Sequence, residues 1–396
     1  MQSHISPYTL KFWDRKCRRF NDLRRFSFCF FEAKTTILEI FLAIVKTFVN
    51  SGSTGKFLTK GGNFMNYQTL KSIDLFAGIG GIRLGFEQAF GNEIETVFVS
   101  EIDAKAQETY EANFGTDVSI AGDITQIPAE SVPEFDICLA GFPCQAFSVA
   151  GKRLGFEDTR GTLFHDVARI CNEHKPKVIF CENVKGLLKH DKGKTYQIIK
   201  NTFEELGYTV YEKVLNSRNF GVPQHRERIY IVAFRNDIDS SKFEFPMPTD
   251  SSKLLRDIIE QNPVDGKYYL SEQYLNCLKE HRRRHEAQGH GFGYEVLSWD
   301  GVSNTLVCGG SGREKNLIID DRQKDFSNVK NKGKINDKAL RVLTPREMAR
   351  LQGFGDDFIL PVADTHLYKQ MGNSVSVPVI RAIAEKIKDV LEGQVE

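Results

Sequence analysis

One thiol stands out by its setting. Cys144 sits between proline and glutamine in the run Gly141-Phe142-Pro143-Cys144-Gln145-Ala146-Phe147-Ser148. A packing cysteine normally lies on a buried apolar face, whereas a loop cysteine past an apolar strand is placed to act as a nucleophile. By itself it reads equally as an incidental loop residue. Downstream, Glu182-Asn183-Val184 closes the apolar run 177–181. A carboxyl group there is partly desolvated, which favours its protonated form and suits Glu182 to donate a proton; bonding to a helix end is the plainer alternative. Gln224-His225-Arg226-Glu227-Arg228 precedes another β-like run, and alternation puts Arg226 and Arg228 on one face. Together they could meet a carboxylate or an anionic ligand, or simply pair with Glu227. The turn Asp74-Leu75-Phe76-Ala77-Gly78-Ile79-Gly80-Gly81 is rich in glycine, and Glu101 follows Gly81 by 20 residues. Such a turn lets a ligand approach the backbone, and Glu101 can accept hydrogen bonds from a ribose diol. A dinucleotide site has a similar spacing, and a tight turn alone also accounts for the glycines.

These residues need elements to hold them. Short apolar runs at 70–76, 96–100, 135–140, 177–181 and 228–234 read as strands, and helical periodicity follows Gly81, Ala104 and Leu163. Strands alternating with helices predict an α/β fold with a doubly wound, largely parallel sheet, on which the motifs above fall at carboxyl ends of strands. From about 240 to 338 the sequence turns polar and loop-rich with scattered short strands, which predicts a smaller irregular domain. Thr344 and Pro345 signal a new helix, and Val379, Ile380, Ile383, Ile387, Val390 and Leu391 form one apolar stripe that should pack back on the sheet.

Composition narrows the function classes. The 53 Lys and Arg against 52 Asp and Glu leave a net charge of +1, and hydrophobic residues make up 41% of the 396. This is globular composition, long enough for a large core in two or three domains. The eight cysteines form no C-x-x-C pair and no His cluster accompanies them, so no metal site is expected and a reducing compartment fits. No run reaches the length of a membrane span; the protein is expected in the cytoplasm, as a monomer.

In order, the motifs resemble those of a DNA (cytosine-5) methyltransferase of the bacterial restriction–modification type. The resemblance runs from Ser72 to about Lys388 through Asp74–Gly81, Glu101, Gly122-Asp123-Ile124, Gly141–Ser148, Arg160-Gly161-Thr162-Leu163-Phe164, Glu182-Asn183-Val184, Gln224–Arg228, Arg341–Gly353 and Gly372-Asn373-Ser374-Val375. It implies the S-adenosylmethionine-dependent methyltransferase fold. It also implies a reaction in which the Cys144 thiolate adds to carbon 6 of a flipped-out cytosine in double-stranded DNA, making carbon 5 nucleophilic. Glu182 would hold or protonate ring N3, Arg228 would bind the base carbonyl and orient Glu182, and Arg226 would stand nearby. S-adenosyl-L-methionine would meet Phe76, Ala77, Gly78, Gly80, Glu101, Ile102, Asp123, Ile124, Pro143, Leu163, Asn373 and Ser374. Residues 65–239 and 339–396 would form the catalytic and cofactor-binding domain, and 240–338 the target-recognition domain.

DNA contacts are expected from Gln145, Ser148, Thr305, Gly309 and Gly310. The recognition segment carries 16 Lys and Arg against 15 Asp and Glu, so specificity should rest on a few base contacts. His281-Arg282-Arg283-Arg284-His285 reads as a phosphate contact or as a solvated basic helix face. A cognate restriction endonuclease would share the DNA site without needing to bind the protein. A tRNA cytosine-5 methyltransferase is the rival on the same scaffold. A nicotinamide-dependent dehydrogenase would explain only the glycine turn and Glu101.

Residues 1–64 differ from the rest: eleven Lys and Arg against four Asp and Glu give them +7, leaving −6 on the remainder. Lys60-Gly61-Gly62 is what a purine-rich ribosome-binding site would encode if read through. The expectation is a natural start at Met65, the alternative being a helical N-terminal extension.

Overall fold

The computed structural model of the chain describes residues 69–143, 162–249, 252–289, 293–308, 313–327, 329 and 333–394, together with two short strands before them. Those strands, Phe57–Leu58 and Phe64–Met65, pair antiparallel within a first compact unit, Met1–Gln68. The remainder of that unit, and with it most of the proposed leader, lies outside the described residues. Thr69–Glu396 is the second unit.

Seven strands form the central sheet of the second unit: β1 (Leu70–Leu75), β2 (Ile94–Ser100), β3 (Ile120–Ala121), β4 (Ile137–Ala140), β5 (Val178–Val184), β6 (Tyr208–Asn216) and β7 (Glu227–Arg235). Their spatial order is 3-2-1-4-5-7-6. The first five are mutually parallel, and β7 lies between β5 and β6, antiparallel to both. Central parallel strands are covered on both faces and therefore read as continuous apolar runs, as 137–140 and 178–181 do.

Helices α1 (Gly81–Phe90), α2 (Ala104–Phe114), α3 (Leu163–His174) and α4 (Lys194–Glu205) connect the strands. Side-chain alternation splits each strand between two cores. Ile73, Cys138 and Ile179 pack with Val167, Ile170, Ile199 and Phe203 of α3 and α4. Leu139, Phe180 and Val232 pack on the other face with Phe86 of α1 and with Ile380 and Ile383 of α8 (Val377–Glu392). The C-terminal stripe therefore returns to the sheet, as its period required.

After β7 come α5 (Glu272–Ala287) and a small sheet of β8 (Val296–Leu297), β9 (Leu317–Ile319) and β10 (Leu340–Arg341) in that order. The polar sequence here conceals an ionic centre. Arg341, with no exposed surface, donates from Nε to Asp320 at 2.9 Å and from both Nη atoms to Glu347 at 2.7 Å. Glu347 also completes a capping box with Thr344 at the start of α6 (Pro345–Leu351). α7 (Asp364–Asn373) leads into α8. Among the described residues no helix is long and apolar enough to cross a membrane.

Candidate active site

The strand order reverses at β1, and in open α/β sheets ligands bind beyond the carboxyl ends at such a point. There the ends of β1, β2, β4 and β5 surround a cavity of about 640 Å³. One wall is the turn after β1. Phe76 adopts φ 56°, a left-handed conformation rare outside glycine, and Gly78 and Gly80 follow at 56° and 80°. At Gly80 a side chain is excluded twice, since an added Cβ would lie 2.2 Å from the Phe114 ring. Ala77 N–H donates to the carbonyl of Ser100, fastening the turn to β2.

Glu101 leaves β2 with its carboxylate fixed by two backbone donors, Gly78 N–H at 2.8 Å and Asp103 N–H at 2.7 Å. Asp103 in turn caps α2, accepting from the N–H groups of Lys105 and Ala106. Ile102 points its apolar side chain into the open and is 72% exposed, although it lines the cavity. Opposite it, Lys369 of α7 pairs with Asp103 at 2.6 Å and pins α7 to α2 at the rim.

The deeper end is built by β5 and β7. Glu182 lies within β5, opposite Tyr230 of β7, and is nearly buried. Its Oε1 is 3.2 Å from Nε of Arg228, an ion pair whose angles do not make a good hydrogen bond. Burial raises the proton affinity of Glu182 above that of an ordinary glutamate, and the charges of Arg228 and Arg226 only partly oppose this. A carboxyl group so placed can hold a proton and hand it on. Arg226 is 2% exposed and directs its guanidinium to backbone carbonyls in the cavity wall. Its Nη1 donates to the carbonyl of Leu306 at 2.9 Å, and Nη2 donates to the carbonyls of Gly372 and Ser374.

Of the sequence-derived cofactor residues, Phe76, Ala77, Gly78, Glu101, Ile102, Asp123, Ile124, Pro143, Leu163, Asn373 and Ser374 line this one cavity, as do Glu182, Arg226 and Arg228. Gly80 does not; it stands behind the turn against α2. Thr305 lies at an adjoining opening with Val184, Lys185, His225 and Arg228, and its hydroxyl donates to the carbonyl of His225. Cys144, Gln145, Ser148, Gly309 and Gly310 lie outside the described residues, but Pro143, which precedes Cys144, lines the cavity. On α5, Arg282 and Arg283 pair with Glu286 and Glu280 of the same helix.

Three further residues belong here. Asn183 donates to the carbonyl of Phe142 at 2.8 Å and so anchors the chain two residues before Cys144. Gln224 donates to Leu351 and Gln352 and accepts from Leu306 N–H at 3.0 Å. Gln352 itself donates to the carbonyl of Met371 at 2.7 Å. The motifs contained all three, but only the fold gives them partners. Among the described residues no group of three His, Cys, Asp or Glu side chains could hold a metal ion.

The family model for C-5 cytosine-specific DNA methylases matches residues 70–389. The chain belongs to this family. It is thus a DNA (cytosine-5)-methyltransferase, of the kind found in bacterial restriction–modification systems. Among relatives, the methyltransferase is 54% identical over 324 residues to Type II methyltransferase M.HpaII of Haemophilus parainfluenzae, covering 81% of this chain and 89% of the relative. It is 49% identical over 325 residues to Type II methyltransferase M.SsoII of Shigella sonnei, covering 82% and 81%. In fold it resembles the Entamoeba histolytica methyltransferase EhMeth, with a TM-score of 0.62 at 22% identity, over 82% of this chain and 99% of that one. The tRNA reading is not favoured by these relatives.

Proposed function

We propose that the protein transfers a methyl group from S-adenosylmethionine to carbon 5 of a cytosine flipped out of a short, specific sequence in double-stranded DNA, and that this protects host DNA from a cognate endonuclease. The observation that carries the reading is the single cavity uniting Glu101, Glu182 and Arg228, with the chain before Cys144 on its edge. The residues fit the cofactor. An added Cβ at Gly78 or Gly122 would meet nothing within 4 Å, so the backbone is open to a ligand at both places. Phe76, exposed Ile102 and Ile124 offer apolar surface for adenine, Glu101 suits ribose hydroxyls, and Asn373 and Ser374 suit the amino-acid end. When bound, the cofactor supplies an electrophilic methyl group.

The protein's own residues make carbon 5 able to accept it. The Cys144 thiolate adds to carbon 6, charge develops toward ring N3, and the proton held by Glu182 neutralises it. Arg228 steadies Glu182 and donates to the base carbonyl. Asn183 keeps the chain before Cys144 at the cavity edge. Once carbon 5 carries the methyl group, a base takes the carbon-5 proton, the Cys144 thiolate leaves carbon 6 and the N3 proton returns to Glu182, which restores the aromatic ring. A stacked cytosine cannot reach this cavity, which is why flipping belongs to the proposal. Residues 240–338 would read the sequence, with Thr305 near the emerging base and Gln145, Ser148, Gly309 and Gly310 as further contacts.

Incubation with labelled S-adenosylmethionine and plasmid DNA, tRNA or neither tests this. Label is expected in the plasmid alone, and sequencing of the methylated cytosines should return one short motif. Label in tRNA, or none in DNA, refutes the proposal.

A further inference from the structure

The recognition segment enters the catalytic unit as a ribbon. Ser303 pairs with Gln224 as an isolated parallel bridge, Ser303 N–H donates to the carbonyl of Pro223, and His225 N–H donates to that of Ser303. At Leu306 both backbone groups are taken by side chains from the Gln224–Arg228 motif. Its N–H goes to Gln224 Oε1, and its carbonyl goes to Arg226 Nη1. Each route ends at the same place. Gln224 donates to Gln352 Oε1, and Gln352 donates to the carbonyls of Met371 and Ser374. Arg226 reaches the carbonyls of Gly372 and Ser374 directly. Gly372 also packs against the ribbon so closely that an added Cβ would lie 2.4 Å from the Cys308 nitrogen. Beyond it, Asn373 and Ser374 wall the cavity.

We propose that Arg226 is a positioning residue that couples DNA recognition to cofactor binding, by joining the Leu306 carbonyl to those of Gly372 and Ser374 through one guanidinium. This rests on the function proposed above. Both Nη atoms face carbonyls, and only Nε lacks a hydrogen-bond partner among the described residues, which leaves Arg226 little to offer a base. A planar guanidinium can serve carbonyls from three directions, whereas an ammonium on a single stem cannot. In a buried site the carbonyls cannot turn to water instead, so displacement of Leu306 moves the end of α7, Gly372 to Ser374, with it. Tightening of the recognition segment on DNA therefore sets the cofactor wall, and linkage requires that cofactor tighten DNA binding equally.

The full chain is titrated with S-adenosylhomocysteine, with and without a duplex carrying the motif found by plasmid sequencing. The duplex is expected to tighten this binding between about 5- and 150-fold in the wild type, and no more than about twofold in Arg226→Lys. The KM for cofactor should rise by a larger factor than kcat falls; a purely structural defect would lower kcat through the active fraction and leave KM in place. Equal tightening in both proteins, or none in the wild type, overturns the coupling. Should Arg226→Lys fail to melt cooperatively, Gln352→Leu, which cuts the second route, decides: a smaller tightening supports the proposal and an unchanged one refutes it. A wild type that binds with coupling yet methylates no DNA would instead refute the assigned reaction.

Discussion

Replacing Asp74 with asparagine should flatten the pH dependence of stability between about pH 4 and 7. Asp74 sits at the inner end of the β1 turn with no exposed surface. Tyr110 donates to its Oδ2 at 3.3 Å, while Oδ1 has no hydrogen-bond partner among the described residues. Burial dominates, against the opposing charge of Arg83, and pushes the carboxyl up to about 7 from 3.8. In this window the unfolded chain has released the proton and the native chain keeps it. The Asp74 contribution to native stability is therefore fullest below 3.8, falls as pH rises, and levels off above about 7. The gap, at about 1.4 kcal/mol per tenfold change in proton affinity, corresponds to about 4 kcal/mol as an upper figure. The asparagine side chain cannot titrate, and any fixed cost of its amide is the same at every pH and cancels from the slope. Urea unfolding followed by circular dichroism at half-unit steps measures both proteins. Wild-type stability should fall relative to Asp74→Asn by up to about 4 kcal/mol across the window. Parallel curves would refute the assignment of a buried, proton-holding Asp74.

Cys144→Ser should abolish methyl transfer while keeping DNA binding, and DNA containing 5-fluorocytosine should trap the wild type in a denaturant-resistant complex; turnover by the variant or absence of the complex counts against the covalent route. Glu182→Gln should slow single-turnover methylation by about 10²- to 10⁴-fold, the usual range for a lost proton donor, with little change in thermal melting. Arg341→Leu strands Glu347 as a buried carboxylate, while Asp320 keeps Arg322, and should cost about 3–5 kcal/mol in urea unfolding, because removing one partner leaves uncompensated charge. A chain starting at Met65 should match the full chain in melting temperature and turnover, and a large loss of either would show that residues 1–64 support the catalytic unit.

Legibility in the sequence followed burial. The strand stretches 137–140 and 178–181 were readable because both faces are covered and every position is apolar. β5 nonetheless runs past Cys181 through Glu182, Asn183 and Val184, since Tyr230, Ile229 and Arg228 of β7 supply partners that no local pattern reveals. β6 escaped notice altogether. It is an edge strand, and Glu212 and Lys213 in it suit an exposed edge better than an apolar run would. At the site, Glu101, Glu182 and Arg228 were legible as motif residues. Arg226 shared their motif and one strand face by alternation, yet it precedes β7 and its partners lie 80 to 148 positions away, at Leu306 and Ser374. Alternation along a strand says nothing of a side chain just outside it.

The bare Cα of Gly372 has a consequence for inheritance. If residues 240–338 read the target as proposed, exchange of that segment would pass specificity between such enzymes, and the natural cut points would be its ends. Yet Ser303 to Cys308 lie in the middle of that segment and are shaped to the Pro223–Arg226 strip and to the gap at Gly372. Any transplanted segment arrives carrying a piece of the recipient's own pocket. A donor whose ribbon differs in path by even a fraction of an ångström would bring new DNA specificity and a misfitted cofactor wall together. The unit free to diverge is therefore two flanking pieces, tethered to a short stretch whose course is dictated by the host.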